Sequence, residues 1–415
     1  MSNVFYNCGS LVKTYGQEPE DSCQLFNVTA TSSEDVSGFV RHLTGKGWSL
    51  KSQTSLEENQ FYRLTYGSRK VNVNFYGNTN KAVVIAEHSK NVSPSEISYT
   101  YKPKTGEAAR FYMFGLKMDS NGFNWNEEGN TNGYPNCGEC LVIKCADNSV
   151  IIVDGGDPLQ MESADQTRFI NFLHEITGKA SDEVITVSAW YITHFHRDHI
   201  LGMRTLFMKN SKKFELERVI CNMPSLEAVS KSNPSAANFK NISDLILKFY
   251  PQCQEIKVHT GDILQIADVT MTTLFTHEDI VGQDGNFAST DFNTTSTVMK
   301  IETVSGMSMV VTGDMSVAAE NILCSNFSTE TLKCDILQQP HHNINNNKTI
   351  YEFANAQVML FTQREGQFNK NENRRAQADL AIIWCKKWYC QGDKTVGFSV
   401  VDGEVKLIYE REVQY

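Results

Sequence analysis

Long apolar runs are missing from this 415-residue chain. The longest candidates, such as Ser308–Thr312 and Val358–Phe361, are strand-sized, far short of a membrane-spanning helix, so no membrane partner is expected. Met1, Ser2, Asn3 and Val4 show no charged segment leading into an apolar stretch, and no secretory signal is expected. A basic excess is lacking too: 38 Lys and Arg stand against 48 Asp and Glu, a net charge of −10. That argues against non-specific, charge-driven binding to nucleic acid or to an anionic membrane. It leaves room for a small anionic substrate held by a metal. A disulfide framework is absent from the pattern as well, because the 11 cysteines are odd in number and scattered in spacing. A reducing cytoplasm is the expected location. What remains, 40% hydrophobic and 21% charged residues, is ordinary globular composition at a length suggesting two or three domains.

Ser, Pro, Lys and Gly cluster across Asn91–Thr105 and mark a break. Before it, Glu34–Lys46 reads as a helix with Val36, Phe39, Val40 and Leu43 on one face and Ser33 as its N-cap. Three alternating stretches follow, Gln60–Tyr66, Lys70–Tyr76 and Lys81–Glu87, separated by the turn signals Gly67-Ser68 and Gly77-Asn78. Residues 1–100 are therefore expected to form a small α+β domain; they carry no chemical motif. Residues 106–415 mix hairpins with strand–helix units, which suits two packed sheets flanked by helices. Here strands are expected at Ala109–Gly115, Cys140–Cys145, Ser149–Asp154, Glu183–Thr193 and Val269–Phe275, and helices at Ser163–Gly178 and Arg374–Trp388, among others.

The decisive segment is Thr193-His194-Phe195-His196-Arg197-Asp198-His199. It places four metal-competent side chains within six residues, at the end of a strand that reads as buried. His194 and His196 are two apart, so on an extended backbone both imidazoles point the same way. Before this segment stands Asp154-Gly155-Gly156, and after it Thr312-Gly313-Asp314 and Pro340-His341-His342-Asn343, each closing an apolar strand.

The motif His194-x-His196-x-Asp198-His199 resembles the signature of the metallo-β-lactamase-fold hydrolases. With it the other segments fall in order from Ala109 to Leu407. The resemblance is strongest to the hydrolase domain of competence-type DNA-uptake proteins and to bacterial phosphorylcholine esterases. Cys137-Gly138-Glu139-Cys140 is similar to that branch's Gly-x-Gly-Asp strand, Asn293-Thr294-Thr295-Ser296 to its Asn-x-x-Ser strand, and Pro340-His341-His342 to its last histidine motif. The resemblance implies an αββα four-layer sandwich with a two-metal site at one edge. It implies His194, His196, Asp198, His199, Asp314 and one of His341 and His342 as ligands. Asp314 would bridge the two metals, and Asp198 would also act in catalysis by orienting a metal-bound hydroxide. Asp154 would brace the metal-binding loop without being a ligand. Two Zn²⁺ ions are expected, with Mn²⁺ or Fe as alternatives for this donor set. The expected activity is hydrolysis of phosphate esters or diesters. Amide, lactone or thioester hydrolysis and a di-iron oxidoreductase remain open, and a binding protein on a decayed site is disfavoured by the intact motifs.

Two readings weigh against extra ligands. The Cys137-x-x-Cys140 pair lacks a second half, and the resemblance accounts for it without zinc or redox chemistry. Most members of the fold supply another histidine between the cluster and the bridging aspartate. The candidates here, His259 and His277, read as exposed turn residues, and the matching position near Phe292-Asn293 has no histidine. The first metal site is thus expected to be the weaker one. Arg197 is expected to serve an ion pair and not catalysis.

Overall fold

The computed structural model describes residues 9–15, 23–88, 94, 108–119, 134–222, 236–280, 292–344, 348–370 and 372–415. The expected break at Asn91–Thr105 lies outside the described residues, Pro94 apart.

Two sheets pack face to face. The first runs Gln254–Lys257, Arg218–Cys221, Ile185–Tyr191, Val150–Asp154, Cys140–Lys144, Arg110–Met113, Lys394–Val401, Glu404–Glu412, with Phe214–Leu216 also paired to Ile185–Tyr191. The second runs Ile263–Ile266, Val269–Phe275, Val298–Thr303, Ser308–Val311, Ile336–Gln338, Val358–Phe361, Lys387–Cys390. Strand Val150–Asp154 shows why they stack. All five of its residues are buried; Ile151 and Val153 point between the sheets while Val150 and Ile152 point at helices, as the period of two requires. The same split places Met309 and Val311 between the sheets and Val310 outward. Helices Ser163–Thr177, Arg197–Lys209 and Ala236–Phe249 cover the outer face of the first sheet, and Val317–Asn326, Thr349–Ala354 and Glu372–Ile382 cover that of the second. The result is a helix–sheet–sheet–helix sandwich, the αββα architecture that the motif resemblance implies.

The N-terminal residues add a six-stranded antiparallel sheet in the order Gly9–Tyr15, Cys23–Thr29, Lys81–His88, Arg69–Tyr76, Asn59–Tyr66, Ser49–Leu56. Helix Ser33–Gly45 covers one face with Val36, Phe39, Val40 and Leu43. The other face contributes Leu25, Phe61, Tyr76, Val83 and Ile85 to the helix layer of the second sandwich sheet. Two local readings are corrected. The N-cap is Ser32, not Ser33: Asp35 N–H donates to Ser32 Oγ and Ser32 N–H donates back to Asp35 Oδ2. The stretch expected as one helix over Arg374–Trp388 is helical only to Ile382, and Trp388 lies in a strand parallel to Val358–Phe361. Among the described residues no helix is long and apolar enough to cross a membrane.

In each sheet the parallel strands send their C-terminal ends to one edge: Val150–Asp154 with Ile185–Tyr191 in the first, Ser308–Val311, Ile336–Gln338 and Val358–Phe361 in the second. The chemistry-bearing segments leave from these ends, where open α/β sheets hold their ligands.

Candidate metal centre

Strand Ile185–Tyr191 ends short of the histidines, so His194 stands on the following loop and not on the strand. His196 is the N-cap of helix Arg197–Lys209, which puts Asp198 and His199 in its first turn. A carboxylate there faces the positive end of the helix dipole. The helix sits hard against the turn after Val150–Asp154. A Cβ on Gly202 would lie 2.4 Å from the Gly155 carbonyl oxygen and 2.7 Å from that of Gly156. Asp314 follows strand Ser308–Val311, and His342 follows strand Ile336–Gln338.

The side chains converge tightly. His199 Nε2 lies 3.2 Å from His342 Nε2 and 3.2 Å from Asp314 Oδ1. His342 Nε2 is 3.1 Å from Asp314 Oδ2 and 3.2 Å from Asp198 Oδ2. Alongside, His194 Nε2 is 3.0 Å from His196 Nδ1 and 3.8 Å from Asp314 Oδ2. Asp314 thus stands in both groups, where one ligand atom per residue lies within 4.8 Å of the others.

The far nitrogens explain why the near ones point inward. His199 Nδ1 donates to Asp154 Oδ2 at 2.6 Å, and His342 Nδ1 donates to the Thr362 carbonyl at 3.1 Å. Each bond fixes the ring so that Nε2 carries the lone pair toward its neighbours, the arrangement of histidines that ligate metals. Asp154 is itself pinned by Thr193, whose N–H and Oγ1 donate to it at 2.8 and 2.6 Å. Two lone pairs and two carboxylates meeting in a buried space need a cation between them. Asp314 Oδ1 faces His199 Nε2, 3.2 Å away, as an ion-pair contact. These residues fit divalent ions.

Electrostatics agree. Burial disfavours charge on His199, but Asp314, Asp154 and Asp198 outweigh it and raise its pKa well above the ordinary value. His342 is raised likewise, against burial, with Asp314 as the leading cause. Burial also opposes the charged forms of Asp198 and Asp314, yet the neighbouring imidazoles hold both carboxyls below the usual range. Without metal, protons on the imidazoles balance the carboxylates; a metal replaces those protons. His194 goes the other way, lowered by burial and then by His199 and His196, which leaves it a neutral donor.

The expected residues His194, His196, Asp198, His199, Asp314 and His342 are brought together. His341 is not: His341, His342 and Asn343 all have left-handed backbone, with φ of 49°, 45° and 63°. This turn sends His342 inward and His341 to Asn293, whose Nδ2 donates to His341 Nε2 at 3.0 Å. Arg197 pairs with Asp157, through Nε to Oδ2 and a second nitrogen to Oδ1 at 3.1 Å. His259 and His277, expected as exposed turns, are buried, His259 against Asn72 and Glu87 of the N-terminal sheet; neither joins a metal-competent group among the described residues. Cys137 was expected to have no metal role, yet its Sγ lies 3.2 Å from Asp198 Oδ2, in a group with Asp198 and His342. Cys140 instead points into the core under the helices. Glu139 was missed as well: both its oxygens are buried without a hydrogen-bond partner, and burial, then Asp154, raise its pKa well above the ordinary value.

Neither a protein-family model nor a curated protein sequence matches the chain. In shape it is similar to the metallo-β-lactamase-fold protein YhfI from Bacillus subtilis, at 15% identity and a TM-score of 0.40, covering 70% of this chain and 100% of that one. It is also similar to CmlA, a diiron β-hydroxylase from Streptomyces venezuelae, at 10% identity and a TM-score of 0.37, over 68% of this chain and 51% of that one. The short form of human tRNase Z matches at 13% identity and a TM-score of 0.32, over 61% and 92% of the two chains. These likenesses are weak, and the centre's chemistry is read from its own residues.

Proposed function

We propose that the protein is a binuclear metal-dependent hydrolase acting on phosphate esters or diesters. The observation that carries the metal-dependent part is the pair of inward-facing imidazole nitrogens, His199 Nε2 and His342 Nε2, set 3.2 Å apart between Asp198 and Asp314. One ion would be held by His194, His196 and Asp314; the other by Asp198, His199, His342 and the shared Asp314. Zn²⁺ suits these donors, with Mn²⁺ or Fe as alternatives. When bound, such ions supply Lewis acidity and make water a nucleophile near neutral pH.

The chain's own residues do the rest. Asp198 faces the centre through Oδ2 and is positioned to orient the attacking water by accepting a hydrogen bond from it. Asp154 fixes the His199 ring, and Thr362 fixes His342. His341, turned to Asn293 beside the ligands, is assigned to substrate contact. The substrate class rests on the branch resemblance of Pro340-His341-His342 and of the Cys137–Cys140 strand. A small anionic ester fits a centre that would supply positive charge within an acidic chain. Every cysteine whose side chain is described is free, which supports a cytoplasmic location.

The test is a chromogenic panel on metal-loaded protein. An activated aryl phosphate diester should be cleaved faster than a β-lactam, an aryl amide, a lactone or a thioester. Turnover of one of those with no phosphoesterase activity would reverse the substrate class. A freshly purified, unchelated sample without metal by elemental analysis would remove the hydrolase reading itself.

A further inference from the structure

We propose that Cys137 is an additional metal ligand, supplying a thiolate to the ion held by Asp198 and His342. The inference rests on the metal-centre reading above and adds a residue to it.

Cys137 Sγ and His342 Nε2 are each 3.2 Å from Asp198 Oδ2, on separate elements that meet at that oxygen. The three donor atoms lie within 4.8 Å of one another. Donors bonded at about 2.0–2.3 Å to one five-coordinate ion sit roughly 3–4 Å from their neighbours, so the three need only small shifts to share one ion with His199 and Asp314. Asp314 reaches the same His342 nitrogen from the other side, with Oδ2 3.1 Å from Nε2.

The backbone holds the thiol in place. Gly138 N–H donates to the Thr362 carbonyl, which also accepts from His342, and Glu139 N–H donates to the Asp198 carbonyl. Gln160 Nε2 donates to the Cys137 carbonyl at 3.0 Å. The segment before strand Cys140–Lys144 is therefore tied to the loops that carry Asp198 and His342. On binding, the thiol proton leaves to solvent and sulfur bonds the ion. A soft sulfur donor favours Zn²⁺ over Mn²⁺ in this site.

A different role is consistent with the same contact: a thiol that merely donates a hydrogen bond to Asp198. Cobalt substitution separates the two. Full-length protein, Cys137→Ser and Cys253→Ser are loaded with Co²⁺ and their absorption spectra recorded, together with Zn²⁺ and Mn²⁺ affinities. The parent and Cys253→Ser should show a near-ultraviolet sulfur-to-cobalt charge-transfer band in addition to the visible d–d bands. Cys137→Ser should keep d–d bands, lose the charge-transfer band, and bind Zn²⁺ roughly tenfold or more weakly, with Mn²⁺ affinity little changed. Visible bands without a charge-transfer band in the parent would overturn the thiolate ligand and leave the metal centre standing. Absence of any bound cobalt would overturn both.

Discussion

Left-handed backbone at His341, His342 and Asn343 separates two imidazoles that the chain sets side by side. Such conformations cost non-glycine residues about 1 kcal/mol or more each and persist where the surroundings enforce them. Here Arg374 donates to the His342 carbonyl at 3.0 Å, and Asn343 Nδ2 donates to the Arg374 carbonyl at 3.2 Å. The two histidines should therefore respond differently to removal. His342→Ala is expected to lose the ion shared with Asp198 and His199. His341→Ala should keep two ions, released in two steps under chelator titration because the His194–His196 site has fewer donors. Equal metal content in the two variants would reject this division. The segment His194–His199 was legible because its donors are packed into one short stretch. The choice within the His pair was not, since it depends on φ angles that adjacency does not reveal. Cys137 was illegible for another reason: its partners lie far along the chain, and no local spacing announces them.

Among elements, helix Arg197–Lys209 and the turn after Val150–Asp154 set the position of the proposed ligands Asp198 and His199. Gly202 lets them touch: its N–H donates to the Gly156 carbonyl at 2.7 Å, and an added Cβ would meet three backbone carbonyls, at residues 155, 156 and 157, within 2.9 Å. Backbone cannot step aside as a flexible side chain can, so Gly202→Ala must push the helix outward. A cost of about 1–3 kcal/mol is expected from the overpacking. Asp198 and His199 ride the first turn of that helix, so zinc affinity should fall together with the urea midpoint. An unchanged midpoint and full metal content would show that the contact has slack. Much of the element order was legible, and strand Val269–Phe275 was read with its observed bounds. Strand Ser49–Leu56 was missed because it is largely exposed and lacks an apolar alternation. The helix ending at Ile382 was overextended because Ile383, Trp384 and Trp388 continue its apolar character into the next strand.

Across the whole molecule, the N-terminal sheet is joined to the sandwich by buried charge as well as by apolar contact. Arg63 reaches Asp262 and the Thr260 carbonyl, each at 2.6 Å, Tyr76 donates to Asp279, and Lys257 pairs with Glu87 at 2.6 Å. His259 sits in this seam with Nδ1 2.7 Å from Glu278 and Nε2 3.2 Å from Glu87. Its burial could not be read from the local sequence, which shows a turn; it follows from a sheet nearly two hundred residues earlier folding over it. Burial opposes charge on His259, but Glu278 and then Glu87 outweigh it and raise the pKa from 6.5 to about 9. A folded-state pKa above the unfolded value means that the folded chain binds the proton more tightly. The stabilisation is complete below pH 6.5 and is lost as pH rises through about 9. At 1.36 kcal/mol per pKa unit the shift corresponds to roughly 3 kcal/mol. With zinc saturating, the urea midpoint of the parent should therefore decline across that window, while that of His259→Gln starts lower and stays flatter. Parallel profiles for the two proteins would show that the seam is held by Arg63 and Lys257 without a proton on His259.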